Sequence, residues 1–270
     1  MSTQYVALDI EAGAGAAGQD EIIELAAVRF TADSVIDSWY SLVRPEHAVG
    51  LRAAVITGIT DEQLEAAPRF AEVADGFRSF LGGDPLVAHS IAFDLERLAR
   101  AGMALSNPAL DTFELASLLL PGLSSYGLAA VAEHLGVDQP GQHRALDDAR
   151  VTGHVFLRLL DRASSHRPEL LQQVSTALSL GASPLTLFFD AALRASRRGT
   201  FADRAGTPVP LPVRSFAHSL DRGQPLRPNP TSQAIDEGDV RAAFTPGGPV
   251  ARSLGAYEER SQQLDMALTV

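Results

Sequence analysis

The chain has 270 residues, 46% of them hydrophobic, and a formal net charge of −11. That is enough apolar material for a sizeable core, while the acidic balance argues against a broadly basic, groove-filling nucleic-acid binder. All 22 basic residues are Arg and cysteine is absent, which excludes P-loop, Schiff-base and kinase-type lysines, disulfides, thiolate zinc sites and cysteine nucleophiles from these residues.

In chain order, "YVALDIEA", "EIIELAAVRF" and "SVIDSWYSLVRP" read as three successive strands of an antiparallel meander. "DEQLEAA" and "RFAEVADGFRSFLGG" read as helices, the second closed by Gly82 and Gly83. "PLVAHS" is a short buried strand, and "AFDLERLARAGM" a helix with Leu95, Leu98 and Ala99 on its inner face. "PALDTFELASLLLPGL" runs from a strand into a helix, "SYGLAAVAEHLGV" is a helix ended by Gly136, and the last helix of this part begins near Ala145. Strands first, then strands mixed with helices, predict an α/β domain over residues 1–165 with a mixed sheet flanked by helices.

The texture then changes. Residues 166–198 hold two helices, a short helical extension. Residues 199–248, with "PVPLPVR", "QPLRPNP" and "TPGGP", have the Pro/Gly/Arg-rich composition of a semi-extended linker. Residues 190–227 carry seven Arg against three Asp, which reads first as a solvated tether. No apolar stretch long enough to span a bilayer and no basic-then-apolar leader is visible, so a cytoplasmic location and no membrane partner are expected.

Three pieces of this pattern carry chemistry. Asp9 and Glu11 are two apart on a strand and share a face, so they repel unless one is protonated or a cation sits between them. A solvated edge strand is the competing explanation. Asp94 opens a helix directly after a strand, where an acid also compensates the helix dipole. His143 and Asp148 are five apart, about 140° around an ideal helix, and share one site only if His143 lies in the preceding loop "PGQH". The alternative is that Asp147 and Asp148 simply favour the helix start. Together the four acids offer oxygen ligands, which select Mg²⁺ or Mn²⁺. Two such ions about 4 Å apart suit phosphoryl displacement, and a nearby imidazole suits deprotonation of water. Of the other histidines, His47, His134, His154, His166 and His218 read as surface or helix residues, and His89 as a supporting strand-end residue.

The order Asp-x-Glu, then "FD", then His five before Asp, resembles the DEDDh group of DnaQ-like 3′–5′ exonucleases. "DEIIELAAVRF", "VITGITDEQLEAAP" and "ALDTFELASLLLP…SYGLAAVAEHLGV" fit the same resemblance, which covers residues 4 to about 162. It implies a ribonuclease H-like fold and two Mg²⁺ (or Mn²⁺) ions. By it, Asp9, Glu11 and Asp148 bind the catalytic metal, Asp9 bridges to the second ion, Asp94 helps hold that ion, and His143 is the general base. It further implies substrate contacts at Ala12, Gly13, His89 and Phe93, and single-stranded 3′ ends as partner, DNA ahead of RNA. Ala12 stands where such enzymes usually carry Thr, and Ser90 where Asn is more usual; these departures motivate the rival reading of a non-catalytic nucleic-acid-binding module. Residues 249–270, "PVARSLGAYEERSQQLDMALTV" after Gly248, resemble the incomplete start of a DinG-type helicase domain, so a helicase part downstream is expected.

Overall fold

The computed structural model describes residues 3–14, 20–47, 55–139, 143–199, 236–245, 248, 249 and 252. Its sheet starts with β1 (Tyr5–Ala14), β2 (Asp20–Phe30) and β3 (Val35–Leu42), the expected antiparallel meander. α1 (Asp61–Glu65) and α2 (Phe70–Leu81) follow, then β4 (Leu86–Ala88), α3 (Ala92–Arg100), β5 (Ala109–Asp111) and α4 (Thr112–Leu119). α5 (Leu128–His134) and the twenty-residue α6 (Ala145–Ser164) complete the part expected as one domain. The strand order is β3-β2-β1-β4-β5, with β4 and β5 parallel to β1. The C-terminal ends of β1, β4 and β5 therefore share one edge of the sheet, where open α/β sheets bind ligands.

Alternation along β1 sorts its side chains between two layers. Val6, Leu8 and Ile10 join Phe77, Leu81 and Leu98 in a core under α2 and α3. Tyr5 and Ala7 face the other way, into a core with Phe30, Phe156 and Leu159. α6 lies close to the sheet at Gly153: a methyl group there would sit in ordinary van der Waals contact with the Phe30 ring at 3.5 Å and with Ala7 Cβ at 3.7 Å. Continuing along that face, the next two residues are Asp9 and Glu11. The apolar alternation thus places both acids on the side covered by α6, at the end of the strand where its cover begins.

The helix boundaries follow local chemistry. Thr60 and Gln63 form a capping box at α1. Gly82, at φ 58°, ends α2 in the left-handed region glycine enters most readily. Two expectations need correction. Ala99 lies on the exposed side of α3, because Asp94 and Leu98 take the buried positions and Leu95 flanks them. The linker is not featureless either: α9 (Glu237–Ala243) forms within it, since Asp236 accepts from Gly238 N–H at 3.0 Å and Glu237 pairs with Arg241 one turn on.

The two helices after residue 165, α7 (Pro168–Leu180) and α8 (Thr186–Gly199), do more than extend the domain. Leu171, Leu185, Phe188, Phe189, Ala192 and Leu193 are buried in the same core as Phe156 and Leu159. Phe156 and Phe188 meet edge to face at 5.3 Å. The first compact unit accordingly runs to Pro208, and residues 209–270 form a second one. Most of the stretch resembling a helicase entry lies outside the described residues. No helix among the described residues is long and apolar enough to cross a membrane.

Candidate functional site

Asp148 sits in the first turn of α6, which is why it can be aimed by groups from the loop before that helix. Its Oδ2 accepts from the His143 backbone N–H at 2.9 Å, and its Oδ1 from Gln139 Nε2 at 3.1 Å. His143 makes this turn at φ 61°, a left-handed conformation in which histidine is among the better tolerated residues. The imidazole leaves the helix axis, so the five-residue offset no longer separates the two side chains. One donor atom each of Glu11, His143 and Asp148 lie within 4.8 Å of one another. Asp9, Glu11, His143 and Asp148 all line a cavity of about 440 Å³, together with His89, Ser125 and the start of α5.

Asp94 approaches the same acids from α3. It is buried, and its carboxylate accepts a hydrogen bond from the Ile10 N–H, between Asp9 and Glu11. Neither Asp94 nor Phe93, Ala12 or Gly13 lines the cavity itself. Phe93 is 61% exposed at the start of α3. Ala12 and Gly13 continue β1 past a register shift at Glu11/Ala12, where β2 skips Ile23.

The electrostatics of this arrangement are unfavourable for ionised acids. Burial, then Asp94, Glu11 and Asp148, push the Asp9 carboxyl well above the usual carboxylate range. Burial raises Asp94 to about 7 against the opposing effect of Arg97. Burial followed by Asp148 and Glu24 raises Glu11, and burial raises Asp148 against its two hydrogen bonds. Buried like charges at such separations favour protonation or a bound cation.

Four residues outside the expected set complete the site. Glu24 on β2 lies directly across from Glu11, a like-charge pairing that would destabilise an isolated hairpin. Here Glu24 is fully buried and neutralised: Arg144 donates to its Oε1 through Nε and Nη2 at 3.0 and 2.9 Å, and Ala145 N–H donates to Oε2 at 2.9 Å. Arg144 also donates to the Tyr40 hydroxyl at 3.0 Å. Glu24, Arg144 and Tyr40 thus pin the first residue of α6 to β2 and β3, immediately after His143. Gln139 is the fourth. The sequence signal for Glu24 was an acid inside the apolar run "IIELAAV"; nothing local marked the others.

His89 has both ring nitrogens engaged, Nδ1 with Thr112 Oγ1 at 2.9 Å and Nε2 with the Tyr126 carbonyl at 2.8 Å. Burial lowers its pKa. It therefore offers the cavity a ring rather than a proton acceptor. Ser90 is held at φ 66°, with its N–H on Asp111 Oδ1 at 2.9 Å. Asn enters that backbone region more readily than Ser, so Ser90 holds this turn at some backbone cost. Of the remaining histidines, His47 pairs with Glu21 at 2.6 Å, and His218 lies outside the described residues.

Comparison with known proteins gives concordant matches. The RNase_T exonuclease family model matches residues 6–156. The chain is similar to the DNA polymerase III PolC-type protein of Oceanobacillus iheyensis, 37% identical over 163 residues, which are 58% of this chain and 11% of that protein. It is 33% identical over 162 residues to the DNA polymerase III subunit epsilon of Aquifex aeolicus, covering 58% of this chain and 80% of that one. The chain thus spans about a tenth of the length of its PolC-type relatives. Among solved structures, the nuclease domain of 3′hExo, a DEDDh family member bound to rAMP, superposes with a TM-score of 0.52 at 20% identity. That match covers 59% of this chain and 92% of the other, and at such identity it concerns the fold.

Proposed function

The chain belongs to the RNase_T exonuclease family, and from that premise we propose that it is a 3′–5′ exonuclease of the DEDDh type that removes nucleotides from the 3′ end of single-stranded DNA with two Mg²⁺ or Mn²⁺ ions. Its mixed sheet between helices is the ribonuclease H-like fold expected from the sequence. The observation that carries the reading is the convergence of Glu11, His143 and Asp148 within 4.8 Å, beside an Asp9 carboxyl that burial and four neighbouring acids push well above the usual carboxylate range. Hard oxygen donors with unfavourable mutual charge fit divalent ions of this kind. Asp9, Glu11 and Asp148 would hold one ion, and Asp9 with Asp94 the second. Bound there, the ions would supply charge to the attacking and leaving oxygens of the phosphodiester.

The protein's own groups do the rest. Gln139 and the His143 N–H fix the Asp148 carboxylate, leaving its orientation independent of the ion. The exposed His143 imidazole accepts a proton from the attacking water. The neutral ring of His89 offers a surface for a terminal base, and the exposed ring of Phe93 a second surface for a base of the strand.

DNA as substrate is supported by the relatives named as DNA polymerase III chains. The structural neighbour bound to rAMP favours RNA ends as the second reading. Matched 5′-labelled DNA and RNA oligomers, digested side by side with Mn²⁺, decide between them; a ladder shortening from the 3′ end is expected, faster on DNA. Oligonucleotide binding with no uptake of Mn²⁺ in calorimetry would instead establish a binding module. Association with a helicase rests on the resemblance of residues 249–270, and an in-frame Walker-type loop beyond codon 270 would establish it.

A linked prediction concerns stability. Asp94 in the folded protein holds a proton that the unfolded chain releases between the ordinary aspartate value of 3.8 and about 7. The raised Asp9, Glu11 and Asp148 act in the same sense, outnumbering the lowered Glu21, His89 and His166. Stability therefore falls as pH rises through that window. In EDTA, the melting temperature should drop by several degrees between pH 5 and pH 8. Mn²⁺ at about 100 times its Kd should add about 2.7 kcal/mol, roughly 5–10 °C, and flatten the pH dependence. A metal-free protein whose melting point rose over this range would contradict the clustered acids.

A further inference from the structure

Arg97 is the cationic side chain that lies beside the site on α3, one turn beyond Asp94, and the reaction as derived above gives it no task. Its guanidinium hydrogen-bonds to Asp20 at 3.0 Å, through Nη2, rather than to Glu11 or Asp94. Its Nε is buried and has no hydrogen-bond partner. The guanidinium lies 5.8 Å from the centre of the Phe93 ring, which is 61% exposed. The Arg97 side chain is itself 23% exposed, so it is reachable from solvent while much of its stem is packed. Its charge is felt by both Asp94 and Glu11.

These features describe a cation stationed next to the acids without being consumed by them. An arginine fork with a free N–H is complementary to a phosphodiester, and an exposed aromatic ring beside it is complementary to a nucleobase. Its carboxylate partner among the described residues, Asp20, is half-exposed at the first residue of β2, so a phosphate can displace it at small desolvation cost. Because Arg97 is offset from the acids by one helical turn, the phosphate it meets is a neighbour of the one held over Asp9 and Glu11.

We propose that Arg97 and Phe93 form a subsite for the phosphate and base adjoining the scissile position of a single-stranded nucleic acid, with Asp20 occupying the arginine until substrate arrives. The subsite rests on the exonuclease reading and gives it a chain-length preference: a substrate with at least two phosphodiesters gains a contact that a mononucleotide ester lacks.

The experiment compares kcat/KM for a single-stranded DNA oligomer with that for the p-nitrophenyl ester of thymidine 5′-monophosphate, which has only the bond to be cut. Arg97→Ala should lower the oligomer-to-ester ratio about tenfold, and Arg97→Lys, keeping charge but not the fork, by less. The slope of log KM against log salt on the oligomer should shrink by about 0.7, the value for one phosphate contact on a single strand. Asp20→Asn should act oppositely and lower KM for the oligomer. Asp33→Asn is the control, the same charge change in the turn beyond the far end of β2, roughly 30 Å away, and should leave KM where it is. Equal losses on both substrates in Arg97→Ala, or an Asp20→Asn protein that binds no more tightly than Asp33→Asn, would overturn the subsite. A wild-type protein inactive on both substrates would remove the exonuclease assignment, and the subsite with it.

Discussion

Asp9→Asn is expected to reduce 3′-end hydrolysis by a factor on the order of 10³ and, in the same protein, to raise the melting temperature measured in EDTA. The two effects have one cause. Asp9 stands on β1 between the acids from the other elements, and its carboxyl feels Asp94, Glu11, Asp148 and Glu24 as well as burial. Removing one charge-stabilising group from a preorganised site commonly costs 10²–10³ in rate, and a group shared by two ions, the role proposed for Asp9, would stand at the upper end. In the absence of ions the same charge is a liability, because like charges in a buried cluster oppose folding. An amide keeps the size and removes the repulsion. Loss of activity with a gain in metal-free stability distinguishes this from misfolding, which lowers both. A digestion time course with a thermal melt checks the pair, and an Asp9→Asn protein that cuts as fast as wild type would refute the assigned role.

Glu24→Ala should destabilise the protein by about 2–3 kcal/mol and lower kcat without a matching change in KM. Breaking a buried ion pair can cost 3–5 kcal/mol when the surviving charge stays buried. Here the survivor, Arg144, has a side chain 43% exposed and can turn to water. What remains is the unsatisfied Ala145 N–H and the space left by the carboxylate. For a unit of this size that corresponds to a fall in melting temperature of about 5–10 °C. The kinetic effect follows from position: Ala145 and Arg144 directly follow His143, so a released helix start lets the imidazole wander. Glu24→Gln, which still accepts from Ala145, should recover most of the stability and part of the rate. A variant as stable and active as wild type would show that the clamp is dispensable.

Much of this is legible in the sequence alone. Alternation in "YVALDIEA" located β1 and the shared face of Asp9 and Glu11, because period two is a strong signal where one face is buried. The left-handed turn at His143 was not legible from periodicity. Only the need to bring His143 and Asp148 together suggested a loop, and the backbone at φ 61° supplies it. Glu24 and Arg144 are 120 residues apart, a separation over which no local pattern speaks. Gln139 and Arg97 likewise acquire meaning only from what the chain folds against them. The burial of α7 and α8 escaped for another reason: an amphipathic helix shows that it has an apolar side, not which surface receives it.

That last point sets the smallest piece of this protein able to stand alone. The family match ends at residue 156, yet Phe156 leans on Phe188 and Leu159 shares its core with Phe189 and Leu193. A cut after residue 165, just past the end of α6, strips an oily flank bare on the back of the very helix that presents Asp148. Chemistry needs the first 148 positions; autonomy needs some fifty more.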